Sequence, residues 1–174
     1  GYNQTQILHR LELSLTDKEN RSTNPIQFFD DAGALIYSQP AAYNQKQYAK
    51  RNDFLGKAYY SKGKLINQPM DFSIKNKLPL QDLHKMITAV VFPNNVPAKE
   101  RFNISEEDRN FVLKYMSSFP GESVFPSYDE SYYDAYVKFL LYGAEDRPIP
   151  KSIRIFNKVG DAYGQLTDAA YIVD

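Results

Sequence analysis

The run that most constrains this chain is its C-terminal stretch, Arg154-Ile155-Phe156-Asn157-Lys158-Val159-Gly160-Asp161-Ala162-Tyr163-Gly164-Gln165-Leu166-Thr167-Asp168-Ala169-Ala170-Tyr171-Ile172-Val173. Residues 153–159 are apolar and β-branched, and residues 169–173 are again apolar. Between them lie Gly160 and Gly164 with the turn-formers Asp161 and Asp168. Two such runs separated by turn residues read as a β-hairpin. Lys158 falls near the end of the first strand, and Gly160, two residues on, has no Cβ to block a ligand from the backbone. Taken alone, this is also the pattern of an edge strand with a solvated lysine.

The chain before the hairpin alternates between extended and helical patterns. In residues 6–15, Leu11, Leu13 and Leu15 alternate with Glu12, Ser14 and Thr16, which reads as strand-like. Residues 17–25 form a polar loop with an Asn24-Pro25 turn signal. Residues 26–37 read as one hairpin around Asp30-Asp31-Ala32-Gly33, and residues 57–66 as a second around Ser61-Lys62-Gly63. Helical spacing of Leu80, Leu83, Ile87, Val90 and Val91 predicts a helix over 79–91. Ser105-Glu106-Glu107-Asp108 is an N-cap signature and predicts a helix over 105–117, with Phe111, Val112, Tyr115 and Met116 apolar. Tyr133, Tyr136, Val137, Leu140 and Leu141 predict a third helix over 130–142, stopped by Gly143. Helices followed by an antiparallel hairpin make the fold class α+β.

Composition excludes several functions. The chain has 174 residues, enough for one domain with a core. Lysine plus arginine equals aspartate plus glutamate at 21 each, so no net charge draws it to nucleic acid or a membrane surface. Zero cysteines exclude disulfides and thiolate metal sites. Neither a metal nor another cofactor is expected. No apolar run spans a bilayer, and no signal peptide is present. The start at Gly1-Tyr2-Asn3 and the stop at Val173-Asp174 suggest a segment of a longer protein. His9 beside an apolar run and His84 beside Leu83 read as structural. The 14 tyrosines cluster at 37–60 and at Tyr128, Tyr132, Tyr133 and Tyr136, where an apolar body with a polar tip suits groove walls and interfaces or a half-buried surface. Lys46, Lys50, Lys57, Lys62 and Lys64 face two nearby acids, Asp53 and Asp71, in the insertion-like block 26–77, which reads as a solvated surface, with contact to an anionic partner as the alternative.

Asn157-Lys158-Val159-Gly160, a short turn and Leu166-Thr167-Asp168-Ala169-Ala170-Tyr171-Ile172 together resemble the third motif of the serine β-lactamase and penicillin-binding-protein superfamily. That motif is Lys-[Ser/Thr]-Gly on a strand at the active-site rim. The flavour is that of the β-lactamase-related serine hydrolases of Bacteroidetes-type bacteria. Val159 stands where the family has a hydroxyl. Arg10-Leu11-Glu12-Leu13-Ser14-Leu15-Thr16 is similar to the family's Ω-loop Arg-x-Glu-x-x-Leu-Asn, with Thr16 in place of asparagine. There the glutamate is the general base for deacylation. An exposed strand glutamate, with Arg10 in a structural ion pair, is the plainer reading of the same residues.

The resemblance implies a partial β-lactamase or transpeptidase-like fold in one segment, 1–174. Its parts are an Ω-loop-like region (1–25), an insertion with hairpins (26–77), a helical region (78–147) and the Lys-x-Gly hairpin (148–174). It implies acyl transfer on an amide or lactam of a small-molecule or peptide substrate, in a periplasmic or secreted parent. Lys158 would supply positive potential, Val159 and Gly160 would line the substrate, and the Asp161 backbone N–H would complete the oxyanion hole. Ser-x-x-Lys has no convincing instance: Ser73-Ile74-Lys75 has the wrong spacing, and Ser61-Lys62 sits in a turn. No Ser-Asp-Asn occurs, so the nucleophile is expected upstream of Gly1. The alternatives are a binding module or pseudoenzyme recognising a peptide or cell-wall fragment, and a purely structural domain.

Overall fold

The structure is a computed structural model and describes every residue except Gly1 and Leu13. Leu13, one of the alternating leucines of the strand-like reading, lies outside the described residues. The chain divides into two compact units, residues 4–78 and residues 1–3 with 79–174. Both helices and antiparallel strand pairs are present, so the class is α+β.

The N-terminal unit is built from short two-stranded ladders. β1 (Ile26–Phe29) pairs with β2 (Leu35–Gln39), and β4 (Tyr59–Ser61) with β5 (Lys64–Ile66), at the two hairpins that the turn residues predict. β3 (Phe54–Leu55) and β6 (Met70–Asp71) pair with each other and bracket the second hairpin, a closure without a turn signal of its own. Few apolar side chains are buried here, chiefly Leu8 and Phe72, so polar side chains hold the loops. Asn76 accepts from the N–H groups of Leu8 and His9 and donates to the His9 carbonyl. Arg51 donates to the carbonyls of Phe72 and Lys75 and to Gln6. Residues 6–12 and 14–15 do not form a strand: Gln6 makes one bridge to Lys77, and the Glu12 backbone is held by the Asn20 amide instead of a neighbouring strand. Alternating leucines need a partner edge to become a strand, and here the partner is a side chain.

The C-terminal unit is organised on the long hairpin of β7 (Arg154–Ala162) and β8 (Gln165–Val173). Its turn is Tyr163-Gly164, both at positive φ (55° and 75°), the conformation a two-residue hairpin requires. Gly160, Asp161 and Asp168, expected between the strands, therefore lie inside them, with Val159 opposite Asp168. The hairpin is covered on both faces. Ile155 and Ala170 pack on Phe119, Ala135, Tyr142 and Ile149. Ala169, on the other face, packs on Leu83 and Ile87 of α1 (Leu80–Val91), joined by Met116. Phe92 closes that face edge-on to Tyr171.

α1 and α2 (Glu106–Ser117) sit at the predicted helices, and α2 starts on the Ser105–Asp108 capping box. The third predicted helix, 130–142, does not form. A 3₁₀ turn at Asp134–Val137 is followed by a single turn, α3 (Phe139–Tyr142), in which Leu140 (φ −74°, ψ 137°) and Leu141 (φ 74°, ψ −45°) leave helical geometry. The N–H groups of Phe139 and Leu140 donate to the Asp168 carboxylate, which holds the backbone away from a helix. Gly143 then passes the Phe139 backbone so closely that a Cβ would lie 2.3 Å from its carbonyl oxygen and 2.7 Å from its Cα. Gly143→Ala should cost about 2–3 kcal/mol, the usual scale of overpacking. A denaturant midpoint unchanged from wild type would show that this crossing is not tight.

Candidate functional site

A lysine buried beside the hairpin organises the C-terminal unit. Lys138 follows the 3₁₀ turn and is 2% exposed. Its Nζ donates to the Met116 carbonyl (2.6 Å), the Ile155 carbonyl (2.9 Å) and Asn157 Oδ1 (2.8 Å), one acceptor for each ammonium proton. The Asn157 amide in turn donates to both carboxylate oxygens of Asp168 (3.0 and 3.2 Å) and to the Val137 carbonyl (2.8 Å). Burial pushes the Lys138 ammonium down to about 8, and the nearby Asp168 charge partly offsets this.

This cluster fixes the residue next to Lys158. Hairpin geometry makes 154, 156, 158, 160 and 162 the residues that bond across to β8, so the backbone groups of 155, 157, 159 and 161 point to the outer edge of β7. The Ile155 carbonyl uses that direction to meet Lys138. β7 has no strand partner on that edge among the described residues. Lys158 is exposed on the face of the hairpin that α1 shares, but α1 lies over β8 and leaves it uncovered. Its Nζ turns to the Val159 carbonyl at 2.7 Å. The cation therefore lies at the outer edge, to which the Asp161 N–H also points. A Cβ at Gly160 would meet only Thr167 Oγ1, at 2.8 Å.

The other sequence-derived residues lie elsewhere. Glu12 belongs to the N-terminal unit, where its carboxylate accepts from the Ser14 N–H (3.1 Å) and hydroxyl (2.8 Å). Arg10 donates to the Asn24 amide oxygen, a neutral partner in place of the expected carboxylate. Ser61-Lys62-Gly63-Lys64 matches the Ser-x-x-Lys spacing literally. It spans an exposed hairpin tip with Ser61 opposite Lys64, where water solvates the lysine and leaves the serine unactivated. Among the described residues no cluster of His, Asp and Glu could hold a metal, and no helix is long and apolar enough to cross a membrane.

Sequence reasoning missed Lys138 and took Asp168 for a turn residue. A signal existed: Lys138 is the one charge in the run Tyr136-Val137-Lys138-Phe139-Leu140-Leu141, and Asn157 interrupts a β-branched strand.

A second feature of the same unit is a groove of about 770 Å³. Tyr128, Tyr132 and Tyr136 line one wall as a ladder of tilted rings, centroids 5.0 Å apart at each step. Phe119 and the almost fully exposed Val124 and Phe125 add apolar lining, and Lys114, Ser118 and Ser123 add polar groups. Glu122, at the rim, is clamped by both guanidinium nitrogens of Arg154 (2.6 and 2.9 Å), which holds its carboxyl below the usual range. Lys158 does not line this groove.

Lys138→Met should lower stability by about 3 kcal/mol, because it strands the carbonyls of Met116 and Ile155 and the Asn157 amide. A lysine held near 8 in the fold and near 10.4 when unfolded binds fewer protons folded than unfolded between those values. Wild-type stability should thus rise relative to Lys138→Met from about pH 8 to 10.4 and run parallel to it below. Urea melts across that window test this, and parallel curves throughout would refute the depressed ammonium.

No protein-family model, no curated protein and no solved structure matches this chain.

Proposed function

We propose that this chain carries the lysine strand of a β-lactamase-like serine hydrolase, a partial β-lactamase or transpeptidase-like fold that acts by acyl transfer on an amide or lactam. The attacking serine would come from outside these residues. The observation that carries this reading is the outer edge of β7, which offers a lysine cation, an outward N–H at Asp161 and an unpaired strand within four residues.

In this reading an extended substrate lies along the free edge of β7 and pairs with its backbone. The serine Oγ attacks the carbonyl carbon and gives its proton to a base that, like the serine, would lie outside these residues. The carbonyl oxygen takes the negative charge, and the C–N bond then breaks as the nitrogen takes up that proton, leaving the acyl-enzyme. The Asp161 N–H donates to that oxyanion beside the N–H of the serine itself. Lys158 gives up its bond to the Val159 carbonyl and supplies positive potential for an anionic substrate group. Lys138, through Asn157, keeps the strand from shifting as the substrate pairs.

A second reading, recognition of a peptide or cell-wall fragment without turnover, is favoured by Val159. The family has a hydroxyl there, and losing its hydrogen bond to a substrate carboxylate costs about 1.5–3 kcal/mol.

Two variants of the parent protein separate these readings. Lys158→Ala should slow acylation by a fluorescent penicillin at least tenfold, about 1.4 kcal/mol, with the melting temperature unchanged, because an exposed lysine adds little to folding. Val159→Thr should strengthen binding of carboxylate-bearing β-lactams. The 174-residue chain alone should take no penicillin label. Unchanged acylation in Lys158→Ala would remove Lys158 from the chemistry.

A further inference from the structure

The tyrosine groove serves neither the hydrogen-bond hub nor the outer edge of β7, and its chemistry is specific. Its ladder runs Tyr128, Tyr132, Tyr136, with ring planes tilted 57° and 60° at successive steps. Tilted rings present ridges with clefts between them, and each ring covers part of its neighbour's face. A flat sugar ring stacks best on an open aromatic face, which this ladder does not offer along its length. A ridged, extended ligand fits the clefts instead.

The polar groups narrow the choice. The hydroxyls of Tyr128, Tyr132 and Tyr136 take no hydrogen-bond partner among the described residues, so they remain free to donate to a ligand in the groove that these residues line. A ligand that answers them needs backbone carbonyls not already used. A helix consumes its carbonyls internally. A polyproline II segment has no internal hydrogen bonds, and its prolines carry no competing N–H. Its three-residue turn brings the same face round every roughly 9 Å, about the reach of the two 5.0 Å steps from Tyr128 to Tyr136.

Charge supplies the remaining element. Glu122 is neutralised by its two-toothed contact with Arg154. Lys114, also in the lining, stands over the Tyr115 ring at 5.7 Å and is exposed, with no carboxylate against it among the described residues. The groove is thus apolar with one uncompensated cation.

We infer that this groove is a docking site for a proline-rich peptide in the polyproline II conformation that carries an acidic residue, whose prolines seat between Tyr128, Tyr132 and Tyr136 and whose carboxylate meets Lys114. Aromatic-lined grooves take such segments because the peptide is already in its bound shape and little ordering entropy is lost.

The test is fluorescence anisotropy with the whole 174-residue chain and a fluorescein-labelled proline-rich decapeptide containing one glutamate. Saturable binding is expected. Tyr132→Ala should weaken it at least about tenfold, as loss of an aromatic anchor does. Tyr132→Phe should weaken it less, because the ring stays and only the hydroxyl goes. Lys114→Glu should weaken the glutamate peptide and strengthen a version with lysine at that position. Far-UV circular dichroism and melting temperature establish that each variant is folded. No saturable binding, equal binding by folded Tyr132→Ala, indifference of Lys114→Glu to the peptide's charge, or saturable binding of a chitin-type oligosaccharide in the peptide's place would each overturn the inference. Binding is read at equilibrium on a chain without the serine, so its failure leaves the acylation result untouched, and the reverse holds equally.

Discussion

The Lys138 ammonium is the interaction on which the C-terminal unit depends. A buried cation is tolerable only when every proton finds an acceptor, since the desolvation penalty in a real protein is several kcal/mol. Here the three acceptors come from two elements: the Met116 carbonyl at the end of α2, and the Ile155 carbonyl and Asn157 side chain of β7. The segments of Met116, Lys138 and Ile155, already joined by the apolar cluster of Phe119, Ala135 and Ile155, are thereby fixed to one point. Asn157 extends the connection to Asp168, and Asp168 to the backbone of Phe139 and Leu140. A charge, a neutral amide and an opposite charge then run in series, so neither charge is left unpaired in the interior.

This arrangement also explains the mixed character of the segment 134–143. Its apolar residues have helical spacing, and in isolation a helix is the cheapest way to satisfy their backbone. The helix would turn Lys138 away from Ile155 and remove the Asp168 bonds. The unit adopts instead a 3₁₀ turn, a distorted turn and a close crossing at Gly143. Tertiary hydrogen bonds to charged groups outweigh the modest helix propensity of these residues.

The two candidate sites divide the hairpin's surroundings by chemistry. The edge of β7 offers backbone and one cation, which suits pairing with an extended chain. The groove beside the 119–122 turn offers rings, hydroxyls and another cation, which suits a ligand with an apolar relief. Arg154 serves the second site from the strand that carries the first, stacked on Phe119 at 4.8 Å and clamping Glu122.

Much of the fold was legible in the sequence where the signal is local. Gly164 after Tyr163 sets the hairpin turn, because positive φ suits glycine. Ser105 and Asp108 start α2 because a hydroxyl and a carboxylate three residues apart satisfy free N–H groups. Apolar spacing of Leu83 and Ile87 sets the buried side of α1. The Lys158-Val159-Gly160 stretch marked the exposed edge of β7. What only the tertiary structure decided are the roles that need a distant partner. Lys138 could have been a solvated helical lysine, and Asp168 a turn aspartate, until Asn157 brought them into one network 11 to 30 residues apart in sequence. Leu11 and Leu15 had the period of a strand but no edge to pair with among the described residues. The tyrosines at 128, 132 and 136 form their ladder outside any α-helix, on a segment whose path the Asp168 bonds and the 3₁₀ turn help set. Sequence carries the conformational preference of each residue; the acceptors that satisfy a buried charge are supplied by the packed chain.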